Sequence, residues 1–391
     1  MRFQYYSSMR ILHYIPSIDR SSGGVGAYLQ LMAHDLGRLV ELHIVSHRSD
    51  HELSIENCTI HYIDGKRTHL LKAKVEFLNL LDELHPDVVH VNSCWELLSS
   101  YTVFWAKKKR YPVLITTHGM LEPWVIRKNY WIKKLPALLL YQKKALKMAD
   151  GLVATAESER KNLLVANYNP NVGLVPNGVI MDDISLKDSW EPNKVILFLA
   201  LLRPNKGADL LIKAVKKLEN ELTGYRVIIA GTGEEGYVNS LKELVHDLKL
   251  ENVISFPGGI YGKDKWQLYQ QADVFVLPTL NENFGIVIAE SLASGTPVIT
   301  TKGAPWPELE EWNCGWWVER DVTSFVKALD EFLKLPVEVR EQMGRNGRRL
   351  VETQYSSKKV AEEMVRMYEG LTPGPSPQKR GVPCGGMMVQ S

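Results

Sequence analysis

The sequence has little cysteine and no long hydrophobic segment. Its four cysteines lie far apart and form no C-x-x-C pair: Cys58, Cys94, Cys314 and Cys384. This spacing is typical of neither a zinc site nor a disulfide framework, and it fits a reducing compartment. Apolar runs such as Val195–Leu202 are far shorter than the roughly 18 residues that cross a membrane. These absences predict a cytoplasmic protein.

Charge of neither sign predominates. The chain has 47 basic and 45 acidic side chains, so its formal net charge is only +2. Because nucleic-acid binders draw most of their affinity from excess positive charge, no nucleic-acid partner is expected. The sequence also contains no D-x-D motif, so Mg²⁺ or Mn²⁺ bound by carboxylates is not indicated. We therefore expect no metal and no other cofactor.

What the sequence does contain is a repeated pattern of strand, loop and helix. This pattern predicts an α/β fold in which two Rossmann-like parallel-sheet domains face each other across a cleft. In the first half we expect strands at Arg10–Pro16, Glu41–Ser46, Val88–Asn92, Val113–Thr117, Leu152–Ala154 and Gly173–Val175. In the second half we expect them at Val195–Leu202, Arg226–Ala230, Val253–Phe256, Val274–Leu277 and Pro297–Thr300.

Breaks in this pattern give the expected domain boundaries. Residues 1–180 are the first domain, the polar stretch 181–193 is a linker, and 194–355 are the second domain. A last helix at 356–371 is expected to pack back toward the first domain. The tail 372–391 is rich in Pro, Gly and Ser and is expected to be disordered. Two such domains predict a ligand site in the cleft, where the carboxyl ends of the strands meet.

In each domain, one cluster of candidate residues follows the first strand. Gly24, in the run Ser21 to Gly26, precedes the first helix, where glycines let the backbone approach a ligand and a helix N-terminus favours an anion. A tight strand-to-helix turn explains the same residues. Arg203 and Lys206 follow the first strand of the second domain, and two such cations can grip a diphosphate. A solvated basic loop is the alternative there.

A third cluster runs from Thr279 to Glu290. Glu282 lies in the loop after a predicted strand, and Glu290 lies on the second turn of a helix that begins near Gly285. A sugar nucleotide could use one carboxylate on hexose hydroxyls, backbone amides on phosphate oxygens, and the other carboxylate on a ribose diol. Glu290 is an acid on an otherwise apolar helix, so it needs a partner. A hydrogen bond within the core is the structural alternative.

A fourth candidate is His118, in the run Thr116-Thr117-His118-Gly119 at the end of a strand. A lone histidine there is more often a turn residue than a functional one.

A fifth motif is misleading: residues 231–236 match the dinucleotide-binding pattern G-x-G-x-x-G. They follow the second strand of their domain, and Glu234 and Glu235 would repel a pyrophosphate, so an oxidoreductase is disfavoured.

Together these clusters resemble the retaining glycosyltransferases of family 4, which have the GT-B fold, over about residues 9–371. The E-x7-E spacing of Glu282 and Glu290 is the most specific part of the likeness. The Arg203-x-x-Lys206 pair, residues 176–179 and the Gly231-x-Gly233 pair fall in the family's order. The resemblance implies a metal-independent enzyme that moves a hexosyl unit, with retention, from a nucleotide-diphosphate sugar to a glycan or lipid-linked acceptor.

The resemblance also implies a role for each candidate residue. Arg203 and Lys206 would bind the donor diphosphate and stabilise it as it leaves. Glu282 would hold hexose hydroxyls, Glu290 would hold the ribose, and His118 would lie near O6 of the donor sugar. Backbone groups would make the remaining donor contacts, at Gly24, Gly231, Ile260, Phe284, Gly285 and Ile286.

Residues 124–147 have an unusual composition. They include seven Lys or Arg residues and no acid, interleaved with Trp124, Tyr130, Trp131, Leu138–Leu140 and Tyr141. Basic and aromatic residues around an apolar stretch suit an anionic membrane surface, which would place the protein peripherally on the inner face of the membrane. An amphipathic helix with its apolar side in the core and its lysines solvated explains the composition equally well.

The function that these observations favour is glycosyl transfer in the synthesis of a bacterial cell-surface polysaccharide, such as an exopolysaccharide, O-antigen or lipopolysaccharide core. A nucleotide-sugar epimerase of similar fold, which needs no acceptor, is one alternative. A catalytically silent protein that binds glycans or nucleotides is another. The pairing of Arg203 and Lys206 with two glutamates favours transfer over epimerisation, and the intact candidate groups in every cluster count against a silent protein.

Overall fold

The computed structural model describes residues 9–20, 24–64, 67–127 and 129–372. The first domain contains a parallel sheet of seven described strands: β1 Arg10–Ser17, β2 Glu41–His47, β3 Thr59–Tyr62, β4 Val88–Val91, β5 Val113–Thr116, β6 Gly151–Ala154 and β7 Val172–Leu174. Their order across the sheet is β3-β2-β1-β4-β5-β6-β7. The central strands are buried on both faces, as expected for apolar runs covered by crossover helices.

The second domain contains a parallel sheet of six described strands: β8 Val195–Leu199, β9 Arg226–Ala230, β10 Ile254–Gly258, β11 Val274–Leu277, β12 Val298–Thr301 and β13 Gly315–Val318. Their order is β10-β9-β8-β11-β12-β13. The predicted α/β fold with two parallel-sheet domains is confirmed. The edge strands β3 and β13 were not predicted, because both are short and only half-buried, and their alternation is weak.

Helices cover both sheets. In the first domain these are α1 Gly24–Leu39, α2 Leu70–Leu84, α3 Leu97–Lys108, α4 Pro123–Arg127, α5 Leu135–Ala137, α6 Lys143–Met148 and α7 Glu157–Ala166. In the second they are α8 Ala208–Lys217, α9 Glu235–Asp247, α10 Gly262–Gln271, α11 Ile286–Ala293, α12 Glu308–Glu311, α13 Val322–Leu333 and α14 Val337–Leu350, and the chain ends with α15 Ser357–Glu369. Turns of π-helix lie at Tyr130–Lys134, Leu138–Gln142 and Val351–Tyr355, and turns of 3₁₀-helix at Arg67–His69 and Pro204–Lys206.

Helix α15 packs against the first domain although it follows the second. Its apolar face, which includes Met364 and the fully buried Tyr368, belongs to the same core cluster as residues of α1 and β1. The Ser357 hydroxyl donates a hydrogen bond to Asp35 on α1. The chain therefore crosses between the domains twice, once after β7 and once before α15.

The stretch 181–193 lies on the second domain. The Trp190 indole nitrogen donates to the Gly295 carbonyl oxygen at 2.8 Å, and the Lys187 ammonium donates to that of Ala272 at 2.7 Å. Both side chains are buried, so this polar stretch is anchored rather than extended through solvent. Of the predicted tail, residues 373–391 lie outside the described residues.

The parallel arrangement of each sheet decides where polar loops meet. In a parallel sheet the carboxyl ends of all strands lie on the same side, so the loops that follow successive strands share one side of the domain. His118 follows β5 and Thr155 follows β6, while Arg203 follows β8 and Glu282 follows β11. The two domains turn these edges toward a common cleft.

Candidate active site

A cavity of about 1310 Å³ lies in the cleft and brings together six of the eleven predicted site residues. The six that line it are Gly24, His118, Arg203, Lys206, Glu282 and Phe284. The remaining five are not part of its wall: Gly231, Ile260, Gly285, Ile286 and Glu290. Residues 21–23 of the glycine-rich loop lie outside the described residues.

Lys206 and Glu282 form an ion pair in this cavity. They lie 76 positions apart in the sequence and were predicted from separate clusters. Their loops are joined through the backbone, because the Leu280 N–H donates to the Asn205 carbonyl oxygen at 2.6 Å. Gly207 permits this close approach, since a Cβ at that position would lie 2.1 Å from the Pro278 carbonyl oxygen.

Arg203 lies exposed beside this pair. It lines the cavity and also a second hollow of about 710 Å³, which is bounded in addition by residues 232–234 and Tyr237. Gly231 directly follows β9 and precedes Thr232 of this hollow; its φ is +144°, and a Cβ there would lie 1.8 Å from the Ala200 carbonyl oxygen. The exposed guanidinium between the two spaces can bind an anion from either side.

Aromatic side chains pack against the loop that precedes α11. The Phe284 ring packs against Trp306 and Tyr355 with ring centroids 5.2 and 5.5 Å apart. The Trp306 indole nitrogen donates to the Phe284 carbonyl oxygen. Gly285 is the N-cap of α11 with φ +83°, a left-handed conformation that favours glycine, and Ile286 is the first helical residue. The first-turn amides of α11 therefore begin directly beside the cavity wall.

Glu290 is buried on α11 and has two partners on α10. Its carboxylate accepts hydrogen bonds from the Lys265 ammonium at 2.7 Å and from the Tyr269 hydroxyl at 3.1 Å. Burial, and then the adjacent Glu290 charge, raise the pKa of Tyr269. The sequence predicts that Glu290 has a partner, but it carries no signal that identifies Lys265. Ile260 lies in the short loop between β10 and α10, on the same side of the domain.

His118 lines the first-domain side of the cavity in a left-handed conformation, with φ +49°. Burial lowers the pKa of its imidazole to about 3, so the ring is neutral at physiological pH. It packs edge-on against Tyr28 with centroids 4.5 Å apart. Its Nε2 atom is buried and has no hydrogen-bond partner among the described residues.

Glu159 was not predicted, yet it organises the first-domain wall. Its side chain is 2% exposed and accepts hydrogen bonds from the Thr117 hydroxyl and the Gly119 N–H. It also accepts from the Thr155 N–H at 2.7 Å and the Thr155 hydroxyl at 2.9 Å. In the sequence it is an acid in the first turn of a helix, a position that is usually solvated.

Thr155 continues this network across the cleft. Its hydroxyl oxygen accepts a hydrogen bond at 2.9 Å from the side-chain amide of Asn283, next to Glu282. Gly119 allows the approach, because a Cβ there would lie 2.5 Å from the Asn283 side-chain oxygen. One buried carboxylate thus connects the turn that carries His118 to the loop that carries Glu282.

No group of three or more His, Cys, Asp or Glu side chains within the described ranges is placed to hold a metal ion. The charges that line the second-domain side of the cavity are three cations, Arg203, Lys206 and Lys302, and two carboxylates, Glu282 and Glu308. These cations are the groups there that could compensate the charge of a phosphate.

Two family models together match most of the chain. The model described as Glycosyltransferase Family 4 matches residues 22–183, and the model described as Glycosyl transferases group 1 matches residues 183–350. The chain belongs to glycosyltransferase family 4. The boundary between the two matches falls at residue 183, within the stretch that follows the first sheet.

Curated relatives of this family 4 chain align over parts of their length. An uncharacterised glycosyltransferase of Methanocaldococcus jannaschii is 30% identical over 235 residues, which are 56% of this chain and 59% of that protein. The MMP α-(1→4)-mannosyltransferase of Mycolicibacterium hassiacum is 25% identical over 296 residues, which are 72% of this chain and 70% of that protein.

Solved structures resemble the family 4 chain over nearly its whole length. The crystal structure of the Anabaena protein HepE in complex with UDP-glucose superimposes with a TM-score of 0.73. The sequences are 16% identical, and the match covers 93% of this chain and 100% of HepE. The GT-B fold implied by the sequence resemblance is confirmed.

Proposed function

We propose that this protein transfers a hexosyl unit, with retention of anomeric configuration, from a nucleotide-diphosphate sugar to a glycan or lipid-linked acceptor. The observation that carries the proposal is the single cavity in which Arg203 and the Lys206–Glu282 pair face His118. The complex of HepE with UDP-glucose supports a nucleotide-sugar donor. The mannosyltransferase activity named for the Mycolicibacterium relative supports transfer of a hexosyl unit.

The charges in the cavity suit departure of a diphosphate. Breaking the bond between sugar and phosphate develops positive charge on the sugar ring and negative charge on the leaving group. Arg203, Lys206 and the first-turn amides of α11 would stabilise the departing diphosphate more than the bound donor, which lowers the barrier. Glu282 would exchange its bond to Lys206 for bonds to hexose hydroxyls. No metal ion is required for this compensation of charge.

Specific nucleotide binding is the first test of the proposal. We expect at least one of UDP, GDP and ADP, or a sugar conjugate of one of them, to raise the melting temperature. A ligand at about 100 times its dissociation constant stabilises the folded state by about 2.7 kcal/mol. A differential scanning fluorimetry panel measures this shift, with EDTA in one arm and Mg²⁺ in another. If no nucleotide shifts the melting temperature in either arm, the proposal is wrong.

Analysis of the product distinguishes glycosyl transfer from epimerisation and from silent binding. Transfer predicts a new glycoside that depends on an added acceptor, and NMR of its anomeric proton reports retention or inversion. A nucleotide-sugar epimerase would instead convert the donor without an acceptor. A catalytically silent binding protein would show the nucleotide-induced rise in melting temperature, but it would form no product with or without an acceptor.

We further propose that the segment 129–148 attaches the protein to an anionic membrane. It packs on the first domain through buried residues such as Ala145 and Leu146, yet it exposes four large apolar side chains. These are 74–81% exposed: Trp131, Ile132, Leu139 and Leu140. Lysines accompany them on the same segment, a combination that suits anionic lipid headgroups and acyl chains. None of the described helices is both long enough and apolar enough to span a membrane.

The position of this segment fits a lipid-linked acceptor. Val125 lines the cavity, and segment 129–148 begins only a few residues later, so the membrane surface would adjoin the acceptor side of the cleft. This arrangement would place the protein peripherally on the cytoplasmic face of the membrane. Synthesis of a bacterial cell-surface polysaccharide is a role that requires such a location. Lys128 and the Trp124 side chain, which belong to the predicted basic stretch, lie outside the described residues.

Membrane attachment predicts a lipid-dependent and salt-dependent sedimentation. The protein should sediment with vesicles that contain phosphatidylglycerol and not with pure phosphatidylcholine vesicles, and high salt should release it. The double variant Leu139→Gln/Leu140→Gln should bind about tenfold more weakly, since insertion of apolar area is lost. Leu71→Gln, at a leucine that is 78% exposed on α2, is the control. Absence of binding at low salt would end this part of the proposal.

A further inference from the structure

The turn that carries His118 also carries a carboxylate, Glu122, for which neither the sequence motifs nor the family models gave a role. The turn is rigid: the Met120 N–H donates to the Thr117 carbonyl oxygen at 2.9 Å, and the Glu122 N–H donates to that of Gly119 at 3.1 Å. The Trp95 indole N–H donates a hydrogen bond to the Met120 carbonyl oxygen at 2.7 Å. Glu122 and His118 therefore keep fixed positions on the same wall of the cavity.

Glu122 is oriented by one hydrogen bond that leaves the rest of its carboxylate free. Its Oε2 atom accepts from the Asn162 side-chain amide on α7 at 2.7 Å. Its other oxygen has no hydrogen bond within the described ranges, although the residue is half-buried and lines the cavity. Burial raises the pKa of this carboxyl, and the Asn162 hydrogen bond partly offsets that effect. This oxygen is open to the cavity, so a hydroxyl group of a ligand can donate to it.

The charges on the cavity walls indicate which ligand belongs on this side. The first domain contributes two carboxylates, Glu122 and Glu157, and one lysine, Lys161. The buried Glu159 carboxylate lies behind the same turn and its charge also reaches Glu122. The imidazole of His118 is neutral. A phosphate would be repelled here, whereas hydroxyl groups can donate to a carboxylate and accept from an imidazole N–H.

We propose that Glu122 binds a hydroxyl group of a neutral sugar ring on the acceptor and, with His118, positions that ring beside the donor. This inference rests on the proposed function, since it assigns the acceptor subsite of the same cavity. The acceptor ring would thus be uncharged where it meets the first domain, and any phosphate or lipid of the acceptor would lie away from this wall.

The test measures binding of acceptor analogues to the full chain saturated with the nucleoside diphosphate that gives the largest shift in the panel above. The probes are methyl α- and β-pyranosides of glucose, galactose and mannose, with the 6-phosphates of the same sugars. We expect a neutral glycoside to bind. Glu122→Gln should weaken its binding about tenfold or more, because a hydrogen bond to a charged group is lost. Nucleotide affinity should stay within about twofold of wild type.

Two further variants keep the test decisive. Glu363→Gln removes a carboxylate from another wall of the same cavity, where it pairs with Lys359, and should leave glycoside binding unchanged. Asn162→Ala frees the Glu122 carboxylate without removing it and should cause a smaller loss than Glu122→Gln. Thermal unfolding of each variant reports its folding.

The possible outcomes separate this inference from the function it rests on. If no nucleotide binds to the wild type, the proposed function fails. If nucleotide binds and Glu122→Gln binds the glycosides as tightly as wild type, only the role of Glu122 is wrong. The inference is equally overturned if the sugar phosphates bind in preference to the neutral glycosides, or if no neutral glycoside binds to the nucleotide-saturated protein.

Discussion

Arg203→Ala and Lys206→Ala should each reduce turnover at least tenfold, which corresponds to about 1.4 kcal/mol or more of lost transition-state stabilisation. Both side chains line the cavity, and both would neutralise charge that develops on the diphosphate only as the bond breaks. The loss should therefore appear mainly in kcat rather than in the donor KM. Steady-state kinetics with the donor identified by the nucleotide panel measure the effect.

Lys206→Ala has a second consequence that Arg203→Ala lacks. It leaves the Glu282 carboxylate without its partner beside the diphosphate. Repulsion between Glu282 and the diphosphate then adds to the lost attraction between Lys206 and the diphosphate. The double variant Lys206→Ala/Glu282→Gln should then be less impaired than the two single losses combined. Lys213→Ala, at a lysine on α8 that pairs with Asp209 outside the cavity, is the control. Near-normal turnover in both Arg203→Ala and Lys206→Ala would remove the argument that these cations stabilise the leaving group.

Glu159→Ala should destabilise the protein by about 3 kcal/mol or more, because buried donors that now meet a carboxylate would lose their acceptor. The donors are the Thr117 hydroxyl, the Gly119 N–H and both polar groups of Thr155. The turn that holds His118 would be released at the same time, so activity should fall even where the protein remains folded. Urea unfolding, analysed at constant m-value, gives the change in free energy.

The matched control for this prediction is Glu157→Ala. Glu157 lies on the same first turn of α7, but it is exposed and pairs with Arg160 at 3.3 Å. Its loss should change the free energy of unfolding by less than about 1 kcal/mol. Equal losses in the two variants would show that Glu159 acts as an ordinary helix-terminal acid and not as the organiser of the cavity wall.

Several elements were predictable because their signals are local. The central strands are apolar runs bounded by polar loops, and β8 and β11 were placed close to where the structure has them. The edge strands β3 and β13 were missed, since half-buried segments of four residues show little periodicity. That Arg203, Lys206 and Glu282 lie near one another was predictable, because polar residues that follow buried strands of one parallel sheet meet on one side of it.

The contacts that complete the site were not predictable in the same way. Lys265 meets Glu290 from another helix, and Asn283 meets Thr155 from the opposite domain, 128 positions away. Neither pairing leaves a pattern in the sequence, because each depends on how two elements are packed. Glu159 gave a misleading local signal, since an acid in a first helical turn is ordinarily solvated.

The two parallel sheets, and the loops from which a ligand would be bound, follow from local patterns in the chain, because hydrophobic periodicity and strand-end polarity act over a few residues. The packing of the folded domains fixed which charges pair, with Lys206 on Glu282 and Lys265 on Glu290. It also decided that Glu159 is buried and that Glu122 keeps an oxygen free in the cavity. Burial and pairing energies depend on distances between elements that are remote in the chain, and those distances exist only once both domains have folded and faced each other.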